Sequence, residues 1–569
     1  MNRRSFLIST ASVFSLSALG LTPFRLDAAP AAGPFVARLT AANDALIPDL
    51  LRRQDASGAV IDQHGIPNVH DAAKLLSVLA AARHAPDSQH HRDRSLLEPL
   101  ERAAAYLLSA QHDDGTIDYI ATNFHSPPDT AFVVETIAGV ASLLHRDRDN
   151  AEASLRDSLD RFLRGAGDAL VVGGVHTPNH RWVVCAALAR INERFPHARY
   201  VARIDQWLAE TIDLDPDGQY TEKSTSVYSP VVNRALLTVA RLLDRPALRE
   251  PVRRNLTMTL YYIHPDGEVV TEASKRQDKY QRGSMARYYY SYRTLARLDG
   301  DGRFAAMAAQ IERTAEAQLT GELLTFLEEP EFGEDLPAER PLPTDYAKIF
   351  AYSHLARIRR GGISGTVLAQ NSTLFSLRKG AAALEAVRLA SAFFGKGQFT
   401  GEELVVREDG YHLEQELTGP YFQPLSADQI AGGEHVRMAP NGTLAVGGRA
   451  ARAQSNIQHL VSRVAVSENG GRFCLAFDIS GTKGVPVALE LAFRHGGRLE
   501  GVEPADGVAD AFLLKSGTGR YTAGADTITF GPGHAGHAWT QLRGALPKWD
   551  GQSVYVTGFT PFRLNLEIS

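Results

Sequence analysis

Cysteine is scarce: the 569 residues hold only two, Cys185 and Cys474. No CxxC pair or spaced Cys/His cluster is present, which excludes a zinc ribbon and a disulfide-stapled scaffold. The two thiols fall in stretches of different character, one helical and one strand-like, so a bridge between them is not expected. Long apolar runs are also missing. Beyond the first residues nothing approaches the ~20 continuous apolar residues of a membrane helix. Nor is there an excess of base, with 60 Lys and Arg against 65 Asp and Glu. That balance argues against nucleic acid as a partner.

What is present begins with a leader. Arg3-Arg4, followed by Ser5-Phe6-Leu7-Ile8 and a modest apolar stretch to Leu21, reads as a twin-arginine signal, and Asp27-Ala28-Ala29-Pro30-Ala31-Ala32 offers small residues for cleavage. Residues 1–29 are therefore expected to be removed, leaving a periplasmic or secreted protein without a membrane anchor. The mature chain keeps 57 basic and 64 acidic side chains. Its length suggests two or more domains.

From about residue 35 to 360 the pattern is helical and repeats. Helices pair as 35–52 with 69–84, 95–111 with 129–146, 150–165 with 179–195, 198–212 with 229–243, 247–262 with 284–298, and 301–319 with 344–358. Asp-Gly or Asp-x-x-Gly turns at Asp55, Asp114, Asp217 and Asp266, with Gly167-Asp168 in the missing place, punctuate the series. The second helix of each pair is apolar nearly all round and the first is amphipathic, as for an inner ring inside an outer one. The expectation is an α/α toroid of about six helical hairpins. Past Gly361-Gly362 the texture becomes strand-like, with Gly-rich turns, and residues 365–569 read as an antiparallel β-sandwich. His534 and His537 in that part stand in a glycine-rich turn and are not read as metal ligands.

All loops entering the inner helices lie at one end of such a ring, where function is commonly placed. Three consecutive ones put His125, His176 and Tyr228 two residues before a proline. The centre of the pattern is His176-Thr177-Pro178-Asn179-His180-Arg181-Trp182. There Pro178 suits a first helical turn, and Asn179 and His180 project from a helix N-terminus. A basic run follows downstream, with Lys275, Arg276, Lys279 and Arg282, joined by Lys223.

A mouth lined by His, Asn, Tyr and Arg suits β-elimination from a uronic acid. The substrate carboxylate must be neutralised, a base must take the adjacent proton, and an acid must protonate the leaving oxygen. A toroid followed by a β domain, with Asn179-His180 at one inner-helix start and Tyr228 at the next, resembles the heparinase II/III-like and chondroitin-type polysaccharide lyases. The resemblance implies Asn179 or Asn123 as neutraliser, His180 or His176 as base, Tyr228 as acid, and Arg282 or Arg287 as helper. His125, Asn123, Lys223, Lys279, Arg287, Tyr288 and Trp182 are expected to hold an acidic polysaccharide. The Asn-Asn-His-Gly signature of some alginate lyases is absent, and no metal or other cofactor is required. Two other readings stand beside this one. An inverting glycoside hydrolase would use carboxylates among Asp118, Asp129, Glu222, Glu268 and Glu272, and a non-catalytic glycan-binding protein would use the same mouth only to hold sugars.

Overall fold

The computed structural model describes residues 33–569, apart from 434–436, 443, 446–449 and 451. The expected twin-arginine signal lies outside the described residues. The expected architecture is present: a helical ring, then an antiparallel sandwich.

The helices are α1 (Pro34–Asp44), α2 (Ile47–Arg53), α3 (Val69–His84), α4 (Leu97–Ala110), α5 (Pro127–Asp147), α6 (Ala153–Val172) and α7 (Pro178–Arg194). They continue as α8 (Ala198–Ala209), α9 (Tyr228–Leu242), α10 (Arg249–Thr259), α11 (Tyr289–Asp299), α12 (Gly302–Ala315) and α13 (Glu322–Glu328). The inner helices start where the sequence provides caps. Asn68 accepts the backbone N–H groups of His70 and Asp71 at the head of α3, and Ser126 accepts that of Asp129 at the head of α5. Pro127 and Pro178 occupy first-turn positions, where a missing N–H costs nothing. Helix α7 buries an unbroken run from Trp182 to Ile191, whereas outer helix α8 buries only Tyr200 and Ile204. The inner ring is therefore held mainly by apolar burial on all sides.

The turns between outer and inner helices lock neighbouring hairpins together. At Gly115 (φ +83°) a Cβ would lie 2.1 Å from the carbonyl oxygen of Gly165 on α6, and at Gly218 (φ +96°) 2.8 Å from that of Arg254 on α10. Only glycine permits both the left-handed backbone and the close approach. The third hairpin has no such turn: Gly167 and Asp168 are inside α6.

The sixth hairpin corrects the expectation. Residues 344–358 are not a helix. They form the hairpin Asp345–Phe350 with Leu355–Arg360, paired from Asp345↔Arg360 to Phe350↔Leu355. The inner partner of α12 is instead the short α13, which packs on α1, α3 and α5. Leu324 of α13 approaches Gly139 of α5, where a Cβ would stand 3.2 Å from its Cδ2. The change from helix to strand thus falls between Gly333 and Asp345, ahead of the expected Gly361-Gly362.

In the β part a nine-stranded sheet, from Asp345–Phe350 at one edge to Glu503–Pro504 at the other, faces an eight-stranded sheet. Leu389, Leu489 and Val556 of the first meet Val464, Leu475 and Leu566 of the second in one core. The first sheet also packs on the ring, where Phe350, Leu355 and Leu368 meet Met258, Tyr262 and Val270. Polar struts cross the same boundary. Buried Glu272 accepts the hydroxyls of Thr366 (2.9 Å) and Ser376 (2.6 Å). Glu268 takes a forked pair from Arg494 at 2.7 and 3.0 Å.

Candidate active site

The loops before α9 and α11 are stitched together by buried Asp278, whose Oδ2 accepts from the Ser226 backbone N–H (3.0 Å), the Ser226 hydroxyl (3.1 Å) and the Ser274 hydroxyl (3.0 Å). This fixes Arg276 and Gln277 beside the head of α9. The Gln277 side-chain amide donates to the Tyr228 phenol oxygen. The Arg276 guanidinium lies 5.3 Å from the centroid of the Tyr228 ring and 3.7 Å from Glu222 Oε1. Tyr228 is half-buried, so its phenol sits at a wall rather than in bulk solvent.

At the head of α7, His180 is buried and meets exposed His176 edge-to-face at 4.8 Å. Burial first, then the nearby His176 and Arg276 charges, push the His180 imidazole down to about 4, against the pull of Asp129. It is therefore neutral at neutral pH, and its Nδ1 is buried without a hydrogen-bond partner. Asp129, at the head of α5, accepts from the Asn123 amide (2.9 Å) and the Ser126 hydroxyl, and stands 4.0 Å from His70 Nε2.

Several expected residues therefore converge: His176, His180 and Tyr228 with Arg276, and Asn123 with Asp129 nearby. Asn179 is close but turned inward. It is 1% exposed, and its amide nitrogen donates to Glu222 Oε2 and, at 3.2 Å, to Thr177 Oγ1. Its backbone N–H also reaches Glu222 Oε2, at 3.2 Å. Held this way, both N–H groups of the Asn179 amide are engaged within the protein.

Other expected contacts are displaced for identifiable reasons. Tyr288 is fully buried and donates to the Thr225 carbonyl, while Trp182 is fully buried with its indole N–H 3.2 Å from Asp213 Oδ1. Both belong to the core rather than to a substrate surface. His125 adopts a left-handed backbone (φ 46°), stacks on His112 at 3.8 Å and binds Asp114 at 2.8 Å. Lys223 is tied to the Tyr352 carbonyl at 2.6 Å, and Lys279 covers the Tyr280 ring at 4.9 Å. Arg282 and Arg287 line an exposed groove of about 530 Å³ with Gln277 and Gln318, and Arg282 Nε is 3.8 Å from Glu268. The groove adjoins Tyr228 through Gln277, which touches both.

The five carboxylates from which a hydrolase would draw its pair are mostly committed elsewhere. Glu268 and Glu272 are the struts to the sandwich. Asp118 accepts from His112 and the His125 backbone, both within 2.8 Å. Asp129 and Glu222 remain near the cluster, each already holding an Asn amide.

No protein-family model matches the chain, and no curated protein matches it. Solved structures do. The chondroitin AC lyase of Streptomyces coelicolor A3, in complex with chondroitin sulphate, superposes with a TM-score of 0.55 at 14% identity over 95% of this chain and 80% of that one. The fold is that of the polysaccharide lyases. Heparinase III gives a TM-score of 0.53 at 13% identity over 93% and 82% of the two chains. A Paenibacillus xanthan lyase gives 0.52 at 9% identity over 94% and 55%. At such identities the likeness is one of fold, and the chemistry rests on the side chains above.

The fold brings together loops that the sequence singled out by their helix starts and by the basic run. Arg276 and Gln277 sit mid-loop, and only the Asp278 stitching places them against Tyr228. His70, at the head of α3, comes within 4.0 Å of Asp129, an approach that its place in the sequence does not announce.

Proposed function

We propose that this protein cleaves a uronic-acid-containing polysaccharide by β-elimination, leaving an unsaturated uronate end. The observation that carries the reading is that Tyr228 and neutral His180, at the heads of adjacent inner helices, share the neighbouring loop residue Arg276 beside an open groove. Arg276 lies over the Tyr228 ring and is assigned the substrate carboxylate, the part expected of Asn179 or Asn123 with Arg282 or Arg287 as helper. With that charge neutralised, the proton on C5 is removed, the C4–O bond breaks, and the electron pair forms the C4=C5 double bond. Tyr228 is assigned both transfers: as the phenolate it takes the C5 proton, and as the resulting phenol it returns that proton to the leaving oxygen, which restores the phenolate. The Gln277 N–H and the Arg276 guanidinium face its ring and oxygen and support charge developing there. His180 is held neutral by burial and is a weak base. It serves as an uncharged neighbour that does not compete for the substrate carboxylate.

The reading includes export through Arg3-Arg4, which places the enzyme where extracellular polymer is met. The experiment is a panel of acidic polysaccharides, including chondroitin, heparan, alginate and xanthan, monitored for the ultraviolet absorbance of the new double bond. Absorbance growing with at least one polymer supports elimination. Release of reducing ends without absorbance would replace it with hydrolysis.

A further inference from the structure

Behind the rim the ring encloses a cavity of about 560 Å³, within the usual range for small-molecule sites. One wall is the face of α3 that carries His70, Lys74 and Ser77, spaced as one helical stripe; Glu135 and Thr136 of α5 form another. Gln318 lines both this cavity and the groove beside Tyr228, so the rim is its entrance.

The charges on the walls are unevenly satisfied. Arg190 pairs with Glu328 and, at 3.4 Å, with Glu135, and Arg234 pairs with Glu322 at 2.7 Å. Lys74 is exposed to the space and has no ion-pair partner among the described residues. His70 Nε2 and Glu135 Oε1 are buried without hydrogen-bond partners. Unmet polar atoms around an enclosed polar space call for a polar occupant.

We propose that this cavity is a second carbohydrate site, which takes a single uronate unit with its carboxylate on Lys74 and its hydroxyls on Glu135, Ser77 and Thr136. The choice of a uronate rests on the function proposed above; the site itself rests on the cavity. A sugar leaves part of the volume to water, which meets the remaining donors.

The test is calorimetric titration of the full chain with glucuronate, with glucose as the uncharged control, in wild type, Lys74→Met, Ser77→Trp, Tyr228→Phe and Arg276→Ala. Glucuronate is expected to bind in the cavity, and more tightly than glucose. Lys74→Met should weaken it by about tenfold or more, and Ser77→Trp, which fills the space, should remove it. Tyr228→Phe and Arg276→Ala should leave it unchanged, so the result does not depend on whether the rim performs elimination. Absence of glucuronate binding, or binding that survives Lys74→Met but is lost in Arg276→Ala, would overturn the proposal. Should Ser77→Trp fail to fold, the Lys74→Met titration decides alone.

Discussion

Glu222 holds Asn179 twice, by the side-chain amide and by the backbone N–H, and so one carboxylate from the fourth hairpin caps the inner helix of the third. Its Oε2 meets an otherwise orphan N–H at the positive end of α7. Removing it should strand both Asn179 donors in a buried place. Glu222→Ala is expected to lower stability by about 1–3 kcal/mol, read as a lower denaturant midpoint at unchanged slope. A midpoint equal to wild type would show that the capping is not a stabilising contact.

The buried imidazoles make stability depend on pH. His180 and His264 are both pushed down to about 4, chiefly by burial, whereas an unfolded histidine titrates near ~6.5. Between those values the unfolded chain binds more protons than the folded one, so stability falls as the pH drops through that window and is fully present above it. Unfolding at pH 7 and pH 5 should therefore separate, and His180→Gln should narrow the gap. The same gap in His180→Gln as in wild type would mean that this imidazole is not held neutral by the fold.

The two arginines offer a direct comparison. Arg276 lies at Tyr228 and Glu222, while Arg282 is largely exposed and 3.8 Å from Glu268. Arg276→Ala should reduce kcat/KM on the cleaved polymer by roughly ten- to a hundredfold, and Arg282→Ala by less. The reverse order would move the carboxylate to the exposed groove.

Much of this was legible in the sequence because inner helices differ from outer ones in where their apolar residues fall. Ser126-Pro127 and Thr177-Pro178 mark two of their starts. The segment 344–358 was misread because Ile349-Phe350-Ala351 and Leu355-Ala356 are spaced as on a helix, while Arg357 is in fact buried against the Tyr261 carbonyl at 3.0 Å. No local pattern announces a buried arginine bonded to a segment so far away in the chain. The same limit applies to Asn179. At a helix head it is a natural site residue, and only the approach of Glu222 from the next hairpin shows that its donors are already committed.

The boundary between ring and sandwich supplies another prediction. Glu272 accepts two hydroxyls from the first sheet, and His264 Nδ1 lies 2.9 Å from Ser364 Oγ. Glu272→Leu leaves the Thr366 and Ser376 hydroxyls without this acceptor in a buried place. Its unfolding midpoint should fall, by an amount corresponding to at least about 1–3 kcal/mol. A variant as stable as wild type would show that these two hydroxyl bonds do not hold the parts together.

The central claim is that the Tyr228 oxygen moves the proton. Tyr228→Phe keeps the ring under Arg276 and removes only that oxygen and its bond to Gln277. The deciding measurement is the rate of unsaturated-product absorbance for this variant on a polymer that wild type cleaves, alongside its melting temperature. The account predicts an unchanged melting temperature and a rate lower by about 10²–10⁴. A folded Tyr228→Phe enzyme that forms the unsaturated product at the wild-type rate would contradict it.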